Sequence, residues 1–148
     1  MASDVSDGDR VIVVGVDGSA PSKAALRWAA SQALLTNSAI HAVIAWEYPV
    51  LYRWEPVAET GDFARVAGNV LAETVKEVLG PAPAVEVRES VEPGHAARVL
   101  VDAARHAQLL VVGSRGHGGF TGALLGSVSQ HCAHHACCPV VIFRGIEE

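Results

Sequence analysis

The sequence has 148 residues, of which 50% are hydrophobic and 18% charged, and this composition predicts a compact domain with a buried core and excludes a largely disordered chain. The formal net charge of −5 argues against nucleic acid as a partner, because phosphate backbones are bound mainly by clusters of Lys and Arg. The chain shows neither a signal peptide nor an apolar run of roughly 20 residues, which predicts a cytoplasmic protein without membrane contact.

The first part of the chain predicts a tail, a strand, a helix and a second strand. Residues 1–9 are small and acidic, and we expect them to be disordered, with residues 10–148 forming a single domain. Residues 11–16 are a continuous, mostly β-branched run, typical of a strand buried on both faces of a parallel sheet. Ser19 is suited to cap the helix that follows. Ala39–Trp46 predicts the second strand.

The rest of the chain continues this alternation after residues 47–61, whose prolines and aromatic residues predict a long loop or lid. Six further elements follow from the apolar spacing: a helix between Phe63 and Val78, an edge strand over residues 84–89, a helix over 96–104, a buried strand over 108–114, a helix over Ser127–His135, and a strand from Pro139 to Arg144. A short turn is expected at residues 123–125.

Five strands alternating with four helices predict an α/β fold, a Rossmann-like, doubly wound parallel sheet. Ligands of such sheets bind beyond the carboxyl ends of the strands, where the winding direction reverses. The first and fourth strands are therefore expected to flank the ligand site.

A glycine-rich segment follows the fourth predicted strand. Gly113, Gly116, Gly126 and Ser127 have the spacing Gly-x2-Gly-x9-Gly-Ser, which is neither a Walker A loop nor a Gly-x-Gly-x-x-Gly motif. Glycines let a ligand approach the backbone closely, and the N-terminus of a helix binds phosphate through its unpaired N–H groups. Alternatively the glycines only form turns, and Ser127 with Gln130 forms a capping box. The two interpretations are compatible.

The segments VVGVDGS and LLVVGSRGHGGFTGALLGSVSQHCAHHACCPVVIFR together resemble the universal stress protein family, in its single-domain, ATP-binding branch, over residues 10–144. The resemblance implies a nucleotide-responsive stress regulator that binds ATP with Mg²⁺ and hydrolyses it slowly at most. The implied nucleotide site consists of Gly15, Asp17, Ala45, Trp46, Gly113, Ser114, Arg115, Gly116, His117, Gly118, Gly119, Gly126, Ser127 and Val128.

The resemblance also implies roles at the first two strands. Asp17 matches an acidic residue near the ribose, and the backbone of Ala45 and Trp46 matches the border of the adenine. Ala45 replaces a histidine of many relatives and Trp46 is bulkier than the usual valine, so we expect stacking as well as backbone contact with adenine. Asp17 could instead cap a turn through its own side chain, although its place at the predicted switch point favours the ligand role.

Two alternatives concern activity. An ATP-consuming enzyme needs groups that orient water and neutralise phosphate charge, and only Asp17, Arg115 and His117 are candidates in the loops concerned. None of them sits in a recognisable catalytic pair. We therefore predict a binding protein without catalytic residues, and an ATPase remains the alternative.

The second alternative is a thiol or metal sensor built on the segment HCAHHACC. His131 and His135 are four residues apart, and Cys138 lies three beyond, a zinc-like spacing. Cys132 and Cys137 are also suited to pack against the sheet, and histidines near the end of a helix, such as His134 and His135, complement its dipole. We favour this packing interpretation and predict no metal site.

The last strand predicts assembly. In a parallel sheet it should form an edge with unpaired backbone groups, and two copies could pair antiparallel there, burying Val140 and Ile142. Relatives in the resembled family dimerise in this way. The charged tail after Phe143 could instead shield the edge and leave a monomer.

Overall fold

The computed structural model describes residues 10–47, 60–114 and 126–144, which form one five-stranded parallel sheet with helices on both faces. The elements are β1 (Val11–Gly15), α1 (Ala20–Thr36), β2 (Ala39–Trp46), α2 (Thr60–Leu79), β3 (Val87–Pro93), α3 (Ala96–Ala103), β4 (Leu109–Gly113), α4 (Ser127–His135) and β5 (Val140–Phe143). The strand order is β3-β2-β1-β4-β5. The predicted doubly wound α/β fold is confirmed, and the winding reverses between β1 and β4.

Several predicted segments fall outside this description. They are the acidic tail over residues 1–9, most of the loop over 47–61, and the turn at 123–125. Among the helices that the structure describes, none combines the length and the apolar character that a membrane span requires.

The core consists of two apolar clusters, one on each face of the sheet. In β1, Ile12 and Val14 point to the cluster formed with α1 and α2, whereas Val13 points to the cluster formed with α3 and α4. These three side chains are at most 1% exposed, so the prediction of a strand buried on both faces is confirmed. Leu26 of α1 and Leu100 of α3 contribute to opposite clusters.

The first helix begins where the sequence predicts. The Ser19 hydroxyl accepts a hydrogen bond from the Ser22 backbone N–H at 3.3 Å, and a proline occupies the first turn. The helix ends at Thr36, and the C-cap Asn37, with a left-handed φ of 57°, closes the last turn.

The third strand is displaced from its predicted position. Instead of residues 84–89 it spans Val87–Pro93, because its pairing with β2 runs from Ile40 opposite Val87 to Trp46 opposite Pro93. Its edge position is confirmed. The Glu86 carbonyl and the Gly94 N–H both bond to β2, so by alternation the nitrogen of Pro93 faces the open edge, where a missing N–H breaks no ladder bond.

Candidate functional site

The end of β4 and the start of α4 meet through backbone hydrogen bonds. The Ser114 carbonyl accepts from the Gly126 N–H at 2.7 Å and from the Ser129 hydroxyl at 3.1 Å, while the Ser114 N–H donates to the Phe143 carbonyl at 2.9 Å. Ser114 and Ser129 are both buried. The N-terminus of α4 is therefore fixed beside the carboxyl end of β4, at the switch point of the sheet.

Ser129 is a positioning residue that the sequence did not reveal. Its hydroxyl bonds both to the Ser114 carbonyl and, at 3.0 Å, to the Gly126 carbonyl. A serine two residues after a predicted cap carries no distinctive signal, because the contact depends on the distant strand β4.

The capping prediction for α4 is wrong by one residue. Gly126 is the N-cap, and its carbonyl accepts the first helical bond, from Gln130 at 3.0 Å, so Ser127 already lies inside the helix. The capping box of Ser127 and Gln130 is therefore not formed. Gly126 has no side chain and gives α4 no side-chain cap.

This open N-terminus differs from the other two caps that the structure describes. Ser19 caps α1 with its hydroxyl, and His95 caps α3, its Nδ1 accepting from the Ala97 N–H at 3.3 Å. At α4 the cap residue leaves the first-turn N–H groups without such an acceptor, and the positive end of the helix dipole adds to their attraction for an anion. Such a helix end suits an anion, and phosphate binding at this position stays a prediction.

Asp17 stabilises a turn between β1 and α1. Its Oδ1 accepts from the Ser19 N–H at 2.9 Å and from the Ser19 hydroxyl at 2.5 Å. Between them Gly18 has a left-handed φ of 81°, which favours glycine. The turn-capping alternative for Asp17 is thus confirmed, and a role toward a ribose stays a prediction.

Two glycines of the predicted site lie against close neighbours, which leave little room for a side chain. A Cβ on Gly113 would lie 2.9 Å from the backbone carbonyl carbon of Pro21, and a Cβ on Gly15 would lie 2.7 Å from Leu100 Cδ1. The first contact brings β4 against the start of α1, and the second brings β1 against α3. The sequence interpretation, close approach of a ligand, did not anticipate these contacts.

The end of β2 lies on the opposite side of β1 from the end of β4. The Trp46 carbonyl accepts from the Gly94 N–H at 2.7 Å, and the Trp46 ring lies parallel to Phe63, with centroids 6.2 Å apart and 4° between the planes. Ala45 and Trp46 are half-buried. Phe63 thus packs beside the indole ring, and a contact between Trp46 and adenine stays a prediction.

The described members of the predicted site lie near the carboxyl ends of β1, β2 and β4 and the start of α4. They are Gly15, Asp17, Ala45, Trp46, Gly113, Ser114, Gly126, Ser127 and Val128. The remaining five, Arg115, Gly116, His117, Gly118 and Gly119, lie outside the described residues.

The three cysteines of the C-terminal segment differ in burial. Cys132 is fully buried against the sheet, as predicted, and burial raises the pKa of its thiol to about 11. Cys137 is exposed and lies beyond the end of α4, so its predicted packing against the sheet is wrong. Cys138 packs partly into the α3 and α4 cluster. Within the described ranges, no group of three or more His, Cys, Asp or Glu side chains is arranged to hold a metal ion.

Comparison with known proteins gives a consistent result. The family model described as "Universal stress protein family" matches residues 10–144. A universal stress protein of Mycolicibacterium smegmatis is 38% identical over 146 residues, an alignment that covers 93% of this chain and 49% of the relative. The chain spans about half the length of the curated relatives it matches.

Solved structures share the fold. A universal stress protein in complex with cAMP superposes with a TM-score of 0.71 and 26% identity, covering 93% of this chain and 98% of that one. An Arabidopsis thaliana universal stress protein family protein with AMP bound gives a TM-score of 0.57 at 20% identity, covering 93% and 92%.

Proposed function

The chain belongs to the universal stress protein family, and from that premise we propose that it binds an adenine nucleotide at the carboxyl edge of its sheet. The nucleotide is ATP with Mg²⁺, and its binding controls the interactions of a regulatory protein that responds to stress. Gly126, Ser127 and Val128 contact the phosphates through the start of α4, with residues 113–119 around the phosphates and ribose.

The observation that carries this proposal is the N-terminus of α4 with its glycine cap, held at the switch point by Ser114. A phosphate bound there would accept hydrogen bonds from the N–H groups that a serine or aspartate cap would otherwise satisfy. Phosphate binding by backbone N–H groups requires no lysine side chain, which agrees with a chain that has only two lysines. The 26% identical relative solved with cAMP supports an adenine nucleotide as the ligand class.

Thermal unfolding tests the proposal. Protein freed of bound nucleotide should unfold at a higher temperature with ATP and Mg²⁺, and at about 100 times the dissociation constant the gain should reach roughly 2.7 kcal/mol. Parallel scans with cyclic AMP and AMP identify the preferred nucleotide, and guanosine triphosphate serves as the control. Equal stabilisation by ATP and guanosine triphosphate would contradict an adenine site.

Hydrolysis should be slow at most. The Oδ1 of Asp17 already accepts two hydrogen bonds from Ser19 in the turn after β1. We expect phosphate release well below about one per second, the lower end of ordinary enzyme turnover. Steady release above that rate would support the alternative of an ATP-consuming enzyme.

Ser127→Ala separates phosphate contact from helix capping. Ser127 is exposed and lies inside α4, so its loss should change stability by less than about 0.5 kcal/mol, as at an ordinary surface position. Affinity for ATP should nevertheless fall, while affinity for adenosine stays unchanged. Titration calorimetry with both ligands measures the difference. Equal affinity of variant and parent protein for ATP would remove the hydroxyl from the site.

The proposed partner, besides the nucleotide, is a second copy bound through β5. In the described residues β5 pairs only with β4. The carbonyls of Pro139 and Phe143 accept from β4, so by alternation Val141 also faces β4, whereas the backbone groups of Val140 and Ile142 face the open edge. An antiparallel pair of such edges would bond through these two residues.

Proline substitution tests this dimer. Ile142→Pro removes an N–H that faces the open edge, so we expect light scattering to report a monomer that is still folded. Val141→Pro is the matched control: it removes an N–H on the β4 side and should mainly lower stability. A dimeric Ile142→Pro variant, or a parent protein that is monomeric at micromolar concentration, would contradict the interface.

A further inference from the structure

Two histidines stand together on the exposed side of α4, away from the start of the helix that the proposed nucleotide site uses. His131 and His135 are one turn apart, and their ring centroids are separated by 4.4 Å with 41° between the planes. Both residues are exposed. They lie in the second half of α4, whose last residue is His135.

We propose that His131 and His135 form a two-ligand site for a divalent transition-metal ion. Metal–nitrogen bonds of imidazole are about 2.0–2.1 Å long, so two rings on one ion need nitrogens only about 3 Å apart. Rings whose centroids are 4.4 Å apart reach this geometry through side-chain rotation alone. The helix already fixes the spacing of four residues, which lowers the entropy lost on chelation.

The position in the helix favours a cation. The C-terminal end of α4 carries a partial negative charge from its unpaired carbonyl groups, which attracts positive charge to the last turn. Both rings are open to water, so the remaining coordination positions can be filled by solvent. This two-ligand site departs from the sequence-based prediction of no metal site, and it does not use Cys138, which packs into the core cluster beyond the helix.

The donor set selects the class of metal. Imidazole nitrogen suits Zn²⁺, Cu²⁺ and Ni²⁺, whereas Mg²⁺ and Ca²⁺ require oxygen ligands. The two histidines therefore do not bind the Mg²⁺ that accompanies a nucleotide. Affinity should be higher for Cu²⁺ than for Ni²⁺, following the general order for nitrogen sites.

Calorimetric titration of the tag-free protein with Ni²⁺ tests the proposal. The parent protein should bind one ion, and Mg²⁺ should not displace it. His131→Ala and His135→Ala should each weaken Ni²⁺ binding at least about tenfold, since loss of a mere supporting residue of a metal site already weakens binding about 10–100-fold. Both residues are exposed, so the variants should remain folded.

Two controls make the assignment specific. His134→Ala changes a neighbouring exposed histidine whose ring lies 6.3 Å from His135, and it should leave Ni²⁺ affinity unchanged. A variant with both Cys137→Ser and Cys138→Ser should also bind Ni²⁺ like the parent. Parent-like Ni²⁺ affinity in His131→Ala or His135→Ala, or loss of binding in the cysteine variant, would overturn the proposal.

Discussion

Gly126→Val is expected to weaken ATP binding at least about 100-fold in a protein that still folds. Gly126 has φ −70° and ψ 164°, values that valine also adopts, so the backbone tolerates the substitution. A valine cap is less favourable than glycine by about 1 kcal/mol. The new side chain would occupy the space of a phosphate at the start of α4. We expect the lost contacts and the strain to cost about 2.7 kcal/mol of binding free energy, which corresponds to roughly 100-fold weaker binding.

Gly126→Ser is the matched control for this prediction. A serine hydroxyl at the cap can accept hydrogen bonds from the first-turn N–H groups of α4. Because serine is a better N-cap than glycine by about a few tenths of a kcal/mol, the variant should be more stable by that amount. The same hydroxyl competes with the phosphate, and ATP affinity should fall. A variant that is more stable and binds less ATP identifies these N–H groups as the phosphate contact. Parent-like ATP affinity in a folded Gly126→Val variant would contradict the site.

Gly113→Ala is expected to produce the largest loss of stability. The added Cβ would lie 2.9 Å from the carbonyl carbon of Pro21 and 3.1 Å from its oxygen, and a backbone cannot rotate away as a side chain can. We expect a loss of about 3 kcal/mol, the upper part of the range for overpacked cores. For a domain of this size the unfolding temperature should fall by roughly 10 °C.

Gly15→Ala provides the comparison. Its Cβ would meet the end of the Leu100 side chain at 2.7 Å, which can move by changing rotamer. The loss should therefore be smaller, about 1 kcal/mol. Urea unfolding of the two variants measures both losses. If Gly15→Ala were the more damaging change, the approach of β4 to α1 would not be the tighter contact.

The fold was predictable because the local signals agree with the tertiary structure. Val13 and its neighbours in β1 read as a buried strand, Ser19 marks the start of α1, and the bounds of β2 and α4 match the pattern. The third strand was misplaced because residues 84–89 alternate locally, whereas pairing with β2 fixes the register at Val87. Long-range pairing of this kind leaves no local pattern.

The candidate site was predictable only in part. Glycine spacing predicts the start of α4, but it does not distinguish the roles of Gly126 and Gly113. Gly126 is an N-cap without a side chain, whereas Gly113 allows α1 to pack closely against β4. For the same reason the sequence alone favours Ser127 as the cap. Which residue becomes the cap depends on where Ser114 holds the incoming chain, and that contact joins residues far apart in the sequence.

The most direct measurement of the central claim is a calorimetric titration of nucleotide-free protein with ATP in the presence of Mg²⁺, alongside the Gly126→Val variant. The account predicts one saturable site per chain in the parent protein, with ATP preferred over guanosine triphosphate, and at least about 100-fold weaker binding in the variant. Absence of binding by ATP, AMP and cyclic AMP at millimolar concentration in the parent protein would contradict it.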